Sequence, residues 1–123
     1  MKMKLSEVIN MNQTLKHIID NEKGIEPLFK FKLLGIMKSF ENHIANFEVI
    51  KNEKIMEYGK ETEDGNIGIS QDDKDAIQKF NEELLPIINS DVDINISKLK
   101  ASEVFNMGLS ADYLMGLYPI IKE

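Results

Sequence analysis

The two histidines are the side chains best suited to metal chemistry, and their neighbours decide whether a site could form. His17 is followed by Asp20 and Asn21 about one helical turn later, whereas the nearest carboxylate after His43 is Glu48. A zinc or iron site needs three or four close ligands, for instance a histidine and a carboxylate on one helix face. One such pair falls short of that number. We therefore predict surface or core-edge histidines and no metal site.

Acidic side chains form runs that could supply a general acid or bind Ca²⁺. A general acid needs burial to raise its pKa, and these runs fall on a predicted loop, a helix start and a solvent-facing helix side. The run SQDDKD also lacks the central glycine and terminal glutamate of a Ca²⁺ loop. The runs instead predict an exposed acidic patch formed by Glu61, Glu63, Asp64, Asp72, Asp73, Asp75, Glu82 and Glu83.

Other catalytic motifs are missing from the sequence. The chain has no cysteine, no G-x-S-x-G motif and no glycine-rich phosphate loop. No residue is therefore a candidate for catalysis, and we predict a protein that is not an enzyme and needs no cofactor.

Size and charge narrow the class of protein further. The 123 residues are enough for one domain, and 15 basic against 21 acidic residues give a net charge of −6. Phosphate backbones and anionic lipids repel such a chain, so we expect no direct nucleic-acid partner and no membrane binding. The N-terminus lacks the apolar core of a signal peptide. All the basic residues are lysine, which indicates an AT-rich coding genome.

The N-terminal half of the chain predicts a strand and two helices. Residues 1–5 alternate between apolar side chains and lysine, as a short half-buried strand does. Ser6 is the predicted N-cap of the first helix. The second helix, over 27–58, would be about 48 Å long at 1.5 Å per residue. That exceeds the width of a domain of this size, so the helix should protrude or break, most readily at Gly35.

The C-terminal half predicts a mobile loop or small hairpin at 59–70, followed by two helices and a strand. Ser70 is the predicted start of the third helix, which Pro86 should kink or end. Residues 91–96 alternate as a strand does, and a last short helix begins near Ser110.

Charges predict how the two strands meet. Lys2 and Lys4 facing Asp91 and Asp93 would form favourable cross-strand pairs. The predicted fold is therefore α+β, mainly α: a single domain, 1–123, with three to four helices, one of them long, and a small two-stranded sheet.

The segments at 1–11 and 97–107 are similar in sequence. Aligned without gaps, they share seven of eleven residues. The similarity has two explanations: a duplicated recognition element, or two solutions to the same local problem, an extended piece that passes into a capped helix.

The long helix carries an apolar stripe wider than one small domain can cover. Such a stripe indicates self-association or a groove for a protein partner. The candidate contact residues are Phe40, Ile44, Phe47, Ile50 and Met56.

Four segments together resemble a family of small uncharacterised proteins from phages and prophages of low-GC Gram-positive bacteria. They are the opening MKMKLSEVINMNQTLKHI, the Y-G-K-x-x-E-D-G turn at 58–65, the acidic DVDINI and the C-terminal LSADYLMGLYP. The resemblance implies a phage origin, with genes near tail or lysis functions. It implies no mechanism, because the family has no established activity.

Two functional hypotheses follow from these observations. The first is a non-enzymatic phage interaction protein, a minor virion or assembly component or an adaptor, which acts through the amphipathic second helix. The alternative is an acidic inhibitor that mimics nucleic acid against a host or defence protein. Either hypothesis places the protein in the host cytoplasm or on the virion.

Overall fold

The structure, a computed structural model, describes residues 1–122. Within that range the chain forms five α-helices, a 3₁₀ turn and three two-stranded sheets, which confirms the predicted α+β, mainly α fold. The elements are β1 (Lys2–Lys4), α1 (Leu5–Asn21), α2 (Pro27–Tyr58), β2 (Lys60–Glu61), β3 (Ile67–Gly68), α3 (Lys74–Ile88), β4 (Asp91–Asp93), β5 (Leu99–Lys100), α4 (Ala101–Phe105), α5 (Ala111–Leu117), the 3₁₀ turn (Tyr118–Ile120) and β6 (Ile121–Lys122).

The hydrophobic core lies between α1, α2 and α5, and α3 packs against the first two of these helices. Val8, Met11, Leu15 and Ile18 are buried on one face of α1, because residues three and four apart share a helix face. From α2 the core receives the buried side chains Phe29, Leu33, Ile36, Phe40 and Phe47.

The long helix α2 is continuous over all its 32 residues. Pro27 occupies its first turn, where the missing N–H costs no hydrogen bond. The helix passes unbroken through Gly35, which is exposed and has no heavy atom within 4 Å of the position of a Cβ. The expected weak point is therefore part of the helix, which ends where the N–H of Gly59 donates to the carbonyl of Ile55.

The predicted pairing of the N-terminal strand with the acidic strand is confirmed. β1 and β4 are antiparallel, with Lys2 opposite Asp93 and Lys4 opposite Asp91. Backbone bonds between Met1 and Ile94 extend the contact by one residue. The sheet therefore joins the start of the chain to the segment after α3.

Two predicted N-caps are wrong. Helix α1 begins at Leu5 with Lys4 as its N-cap, because the backbone N–H of Lys4 donates to the Oε1 of Glu7 at 3.1 Å. Helix α3 is capped by Asp73, whose carboxylate accepts from the N–H of Ala76 at 3.2 Å. Ser6, the expected N-cap of the first helix, lies inside α1, and Ser70 lies ahead of the N-cap of α3.

The predicted hairpin at 59–70 is present as β2 and β3, which pair antiparallel. Gly65 adopts φ 84° at its turn, a conformation that favours glycine. Further along the chain, Pro86 lies inside α3, which continues for two more residues to Ile88.

The similar segments at 1–11 and 97–107 have similar backbones. Lys4 and Lys100 are aligned residues, and each is an extended N-cap, with ψ of 146° and 138°, between a short strand and a helix. The copies then diverge, since α1 continues to Asn21 and α4 ends at Phe105. β5 and α4 correspond to the extended piece and capped helix of the second explanation, whereas β6 was not predicted.

Candidate interaction surface

A largely apolar groove lies at the C-terminal end of the fold. It has a volume of about 750 Å³ and lies between α4, α5, the 3₁₀ turn and β6. We call it the C-terminal groove; it is lined by Lys98, Ala101, Phe105, Leu114, Met115, Tyr118, Pro119 and Ile121.

Short elements anchored in the core hold the groove walls in place. Val104 of α4 and Leu117 of α5 are fully buried. β5 pairs with β6 in parallel, with Leu99 beside Ile121. An ion pair of 2.8 Å between the Nζ of Lys32 and the Oε1 of Glu103 ties α4 to α2.

Three large apolar side chains of the groove point into solvent. Phe105 is 62% exposed, Met115 75% and Tyr118 77%. The apolar residues of the seven-residue helix α5 lie on all of its sides, and only one side faces the core. Leu117 is the buried residue on that side. These three residues form an apolar surface that the fold itself leaves uncovered.

The structure corrects part of the predicted contact set on α2. Phe40 is fully buried and Phe47 is only 8% exposed, because α1 and α3 cover that stripe. Ile44 and Ile50 are half-buried and pack against the core. Met56, at 62% exposure, is the one member of the set that a partner could reach without rearrangement.

A second apolar groove, of about 610 Å³, lies between α1, α2 and α3. Ile9, Phe47, Phe80 and Leu84 contribute to its floor and walls, and Leu85 at its border is 56% exposed. Phe47, a member of the predicted α2 contact set, contributes to this groove.

Some members of the predicted acidic patch have roles within the fold. Asp64 accepts hydrogen bonds from the Thr62 hydroxyl and from the N–H groups of Asn66, and these bonds hold its pKa below the usual value. Asp73 is the N-cap of α3, and Glu83 lies 3.3 Å from the Nζ of Lys54.

The other members of the patch face solvent on the hairpin, ahead of α3 and on the outer side of α3. They are Glu61, Glu63, Asp72, Asp75 and Glu82.

Lys54 of α2 joins two carboxylates. Its Nζ lies 2.9 Å from Glu57 and 3.3 Å from Glu83, and hydrogen bonds to Glu57 and then Glu83 raise the pKa of Lys54. Glu83 also raises the pKa of Tyr58. This cluster links α2 to α3, so we assign it to the packing of the two helices.

The histidines lie apart from each other. His17 is exposed on α1, and the Nε2 of the half-buried His43 lies 3.1 Å from the carbonyl oxygen of Asp93. Within residues 1–122 no group of three or more metal-ligating side chains is arranged around a common centre. No helix in the same range is long and apolar enough to cross a membrane.

Comparisons with protein-family models, with curated proteins and with solved structures find no match for the chain. The C-terminal groove and the charges around it are therefore the features of the molecule that indicate a function.

The sequence analysis did not identify the C-terminal groove, although the sequence contains a signal for it. Tyr113, Leu114, Met115, Leu117 and Tyr118 are apolar on every side of a two-turn helix. A helix of that length on a surface can bury only one side. An excess of apolar residues there indicates that some must remain exposed.

Proposed function

We propose that this chain is a non-enzymatic interaction protein that binds a protein partner through the C-terminal groove. The observation that carries the proposal is the cluster of Phe105, Met115 and Tyr118, each more than half exposed beside one concave surface. Adjacent exposed apolar side chains at a groove are typical of interaction sites, whereas single ones are ordinary.

Binding energetics favour the same function. Burying one large apolar side chain contributes about 1.5–3 kcal/mol, so the three together contribute at most about 9 kcal/mol. Association costs about 4–15 kcal/mol, so the three side chains offset a large part of that cost and the rest of the interface supplies the net affinity. Aromatic and methionine side chains are also enriched at the centres of protein interfaces. In this proposal α2 supports the fold, and the groove replaces its apolar stripe as the main contact surface.

A phage origin is a further part of the proposal, supported by the sequence resemblance described above. A minor virion or assembly component would be present in purified particles, whereas a cytoplasmic adaptor would be found only in the infected cell. Mass spectrometry of purified virions and of host lysate distinguishes these two locations.

The acidic inhibitor is the alternative proposal, favoured by the solvent-facing carboxylates Glu61, Glu63, Asp72 and Asp75 on one stretch of chain. An electrostatic mimic of nucleic acid would lose its partner steeply as salt rises, because exposed charges are screened within about 10 Å at 0.1 M salt. Docking through the apolar side chains of the groove would lose much less affinity over the same salt increase.

Affinity purification with matched variants tests the proposed function. We expect the double change Met115→Ser and Tyr118→Ser to abolish partner retention, because it removes the apolar anchors and leaves the core unchanged. The control is Val49→Ser, which changes an apolar residue of α2 that is 57% exposed. The acidic inhibitor would be supported instead if the partner is still retained by the Met115→Ser, Tyr118→Ser protein but is lost from a protein with both Glu61→Gln and Asp72→Asn.

A further inference from the structure

The sheets at the two ends of the fold differ in their cross-strand charges. In β1–β4, each lysine stands opposite an aspartate. In β5–β6, Lys100 stands beside Lys122. Like charges side by side on neighbouring strands destabilise a sheet, whereas opposite charges stabilise it. Within residues 1–122, neither of these two lysines forms an ion pair that would offset the cost.

This lysine pair is adjacent in the chain to residues of the C-terminal groove, since Lys100 precedes Ala101 and Lys122 follows Ile121. Lys98 lines the groove directly and precedes β5, and Ile121 of β6 lines it from the neighbouring strand. Lys98, Lys100 and Lys122 are all exposed, in a protein whose net charge is −6. A positive edge therefore runs beside an apolar groove in a protein that is negative as a whole.

We propose that the C-terminal groove binds an acidic amphipathic segment of its partner protein. Apolar side chains of the segment pack against Phe105, Met115 and Tyr118, and its carboxylates lie along Lys98, Lys100 and Lys122. This inference rests on the proposed function and adds the chemistry of the partner. The partner's carboxylates offset the repulsion between Lys100 and Lys122.

Charge complementarity makes the groove selective. A basic amphipathic segment would meet the same apolar walls and be repelled by the lysine edge, and such repulsion is a common source of specificity. The predicted partner therefore differs from a generic apolar ligand in the sign of its charge.

Selection from a random peptide library tests the charge of the partner. The probe is a displayed library of peptides long enough for about four helical turns, selected on the full chain. Peptides that still bind the Met115→Ser, Tyr118→Ser protein are discarded. We expect the remaining peptides to combine apolar residues at helical spacing with Asp and Glu. A basic or uncharged consensus overturns the acidic assignment and leaves the proposed function standing, whereas no groove-dependent binder overturns both.

Lysine variants test the contact itself. With one selected peptide in fluorescence anisotropy, changing Lys98, Lys100 and Lys122 together to Gln should weaken binding roughly tenfold, since exposed charge pairs contribute about 0.2–1 kcal/mol each. The control changes the same three residues to Arg, which keeps the charge. Equal peptide affinities of the Gln variant and the wild-type protein would overturn the inference. A dimer that forms in sedimentation equilibrium and is dissociated by Tyr118→Ser would also overturn it, because the groove would then bind a second copy of this chain.

Discussion

Thr14 and Gly116 show how closely α1 and α5 approach. A Cβ added to Gly116 would lie 2.8 Å from both the Cγ2 and the Oγ1 of Thr14. Thr14 is β-branched, and its hydroxyl donates to the carbonyl of Asn10 at 3.2 Å, so its side chain has little freedom to move away. Because Met115 precedes Gly116 in α5, this contact sets the position of one groove wall.

The change Gly116→Ala should therefore lower the free energy of unfolding. A packing cost of about 1–3 kcal/mol exceeds a helix-propensity gain of about 1 kcal/mol. In a Thr14→Ala background the Cγ2 and Oγ1 atoms are absent and only the Cβ of residue 14 remains close, at 3.3 Å, so the same change should cost much less or become neutral. Chemical denaturation of the four proteins measures both effects. An equal loss in both backgrounds would show that the two helices do not meet at this contact.

At the scale of elements, the sequence predicted pairing where alternation and charge agreed. β1 and β4 each alternate between apolar and charged residues, and their charges are opposite, so the pairing of the two strands followed from the residues. The antiparallel direction and the register, with Lys2 opposite Asp93, come from the structure. β5 and β6 have two residues each, too few to show alternation, and their lysines argue against pairing.

The N-cap of α1 was missed because a tertiary contact determines where this helix begins. The N–H of Leu5 donates to the carbonyl of Ser90 at 3.0 Å, so contact with the β4 side of the fold fixes where extended backbone ends and α1 begins. Serine preference is a local rule, and tertiary contacts override it here.

The charge pattern of β1–β4 leads to a prediction for that sheet. Lys4→Glu places like charges opposite each other and should destabilise the fold by about 0.2–1 kcal/mol, and adding Asp91→Lys should restore stability. Thermal unfolding at low salt measures the change, and the effect should shrink as salt screens the pair. If Asp91→Lys fails to compensate, the two residues do not interact across the sheet.

At the scale of the whole molecule, α2 is a core element that packs against α1 and α3. Its stripe contacts α1 along one side and α3 along another. The sequence shows how wide the apolar stripe of α2 is. It does not show that α1 and α3 bury the stripe, because that depends on where these two helices pack in the tertiary structure. An apolar stripe that is buried in the core and one that binds a partner have the same periodicity in the sequence. The contact surface was therefore predicted on α2, and the C-terminal groove was missed.

The assignment of α2 to the core predicts the effects of two phenylalanine changes. Phe40 is fully buried, so Phe40→Ala should cost about 3–5 kcal/mol, a large part of the stability of a domain of this size. Phe31 on the same helix is 74% exposed, and Phe31→Ala should change stability by no more than about 0.5 kcal/mol. Urea denaturation compares the two, and similar losses would contradict the described core.

The central claim is that the C-terminal groove contacts a protein partner, and photo-crosslinking tests it most directly. A photoreactive phenylalanine analogue would replace Tyr118 in the groove or, as a control, Val49 on α2, in cells that contain the partner. Both positions are more than half exposed. We predict a discrete adduct of the chain with a second protein from position 118 and none from position 49. An adduct from position 49 alone, or the same adducts from both positions, would contradict the account.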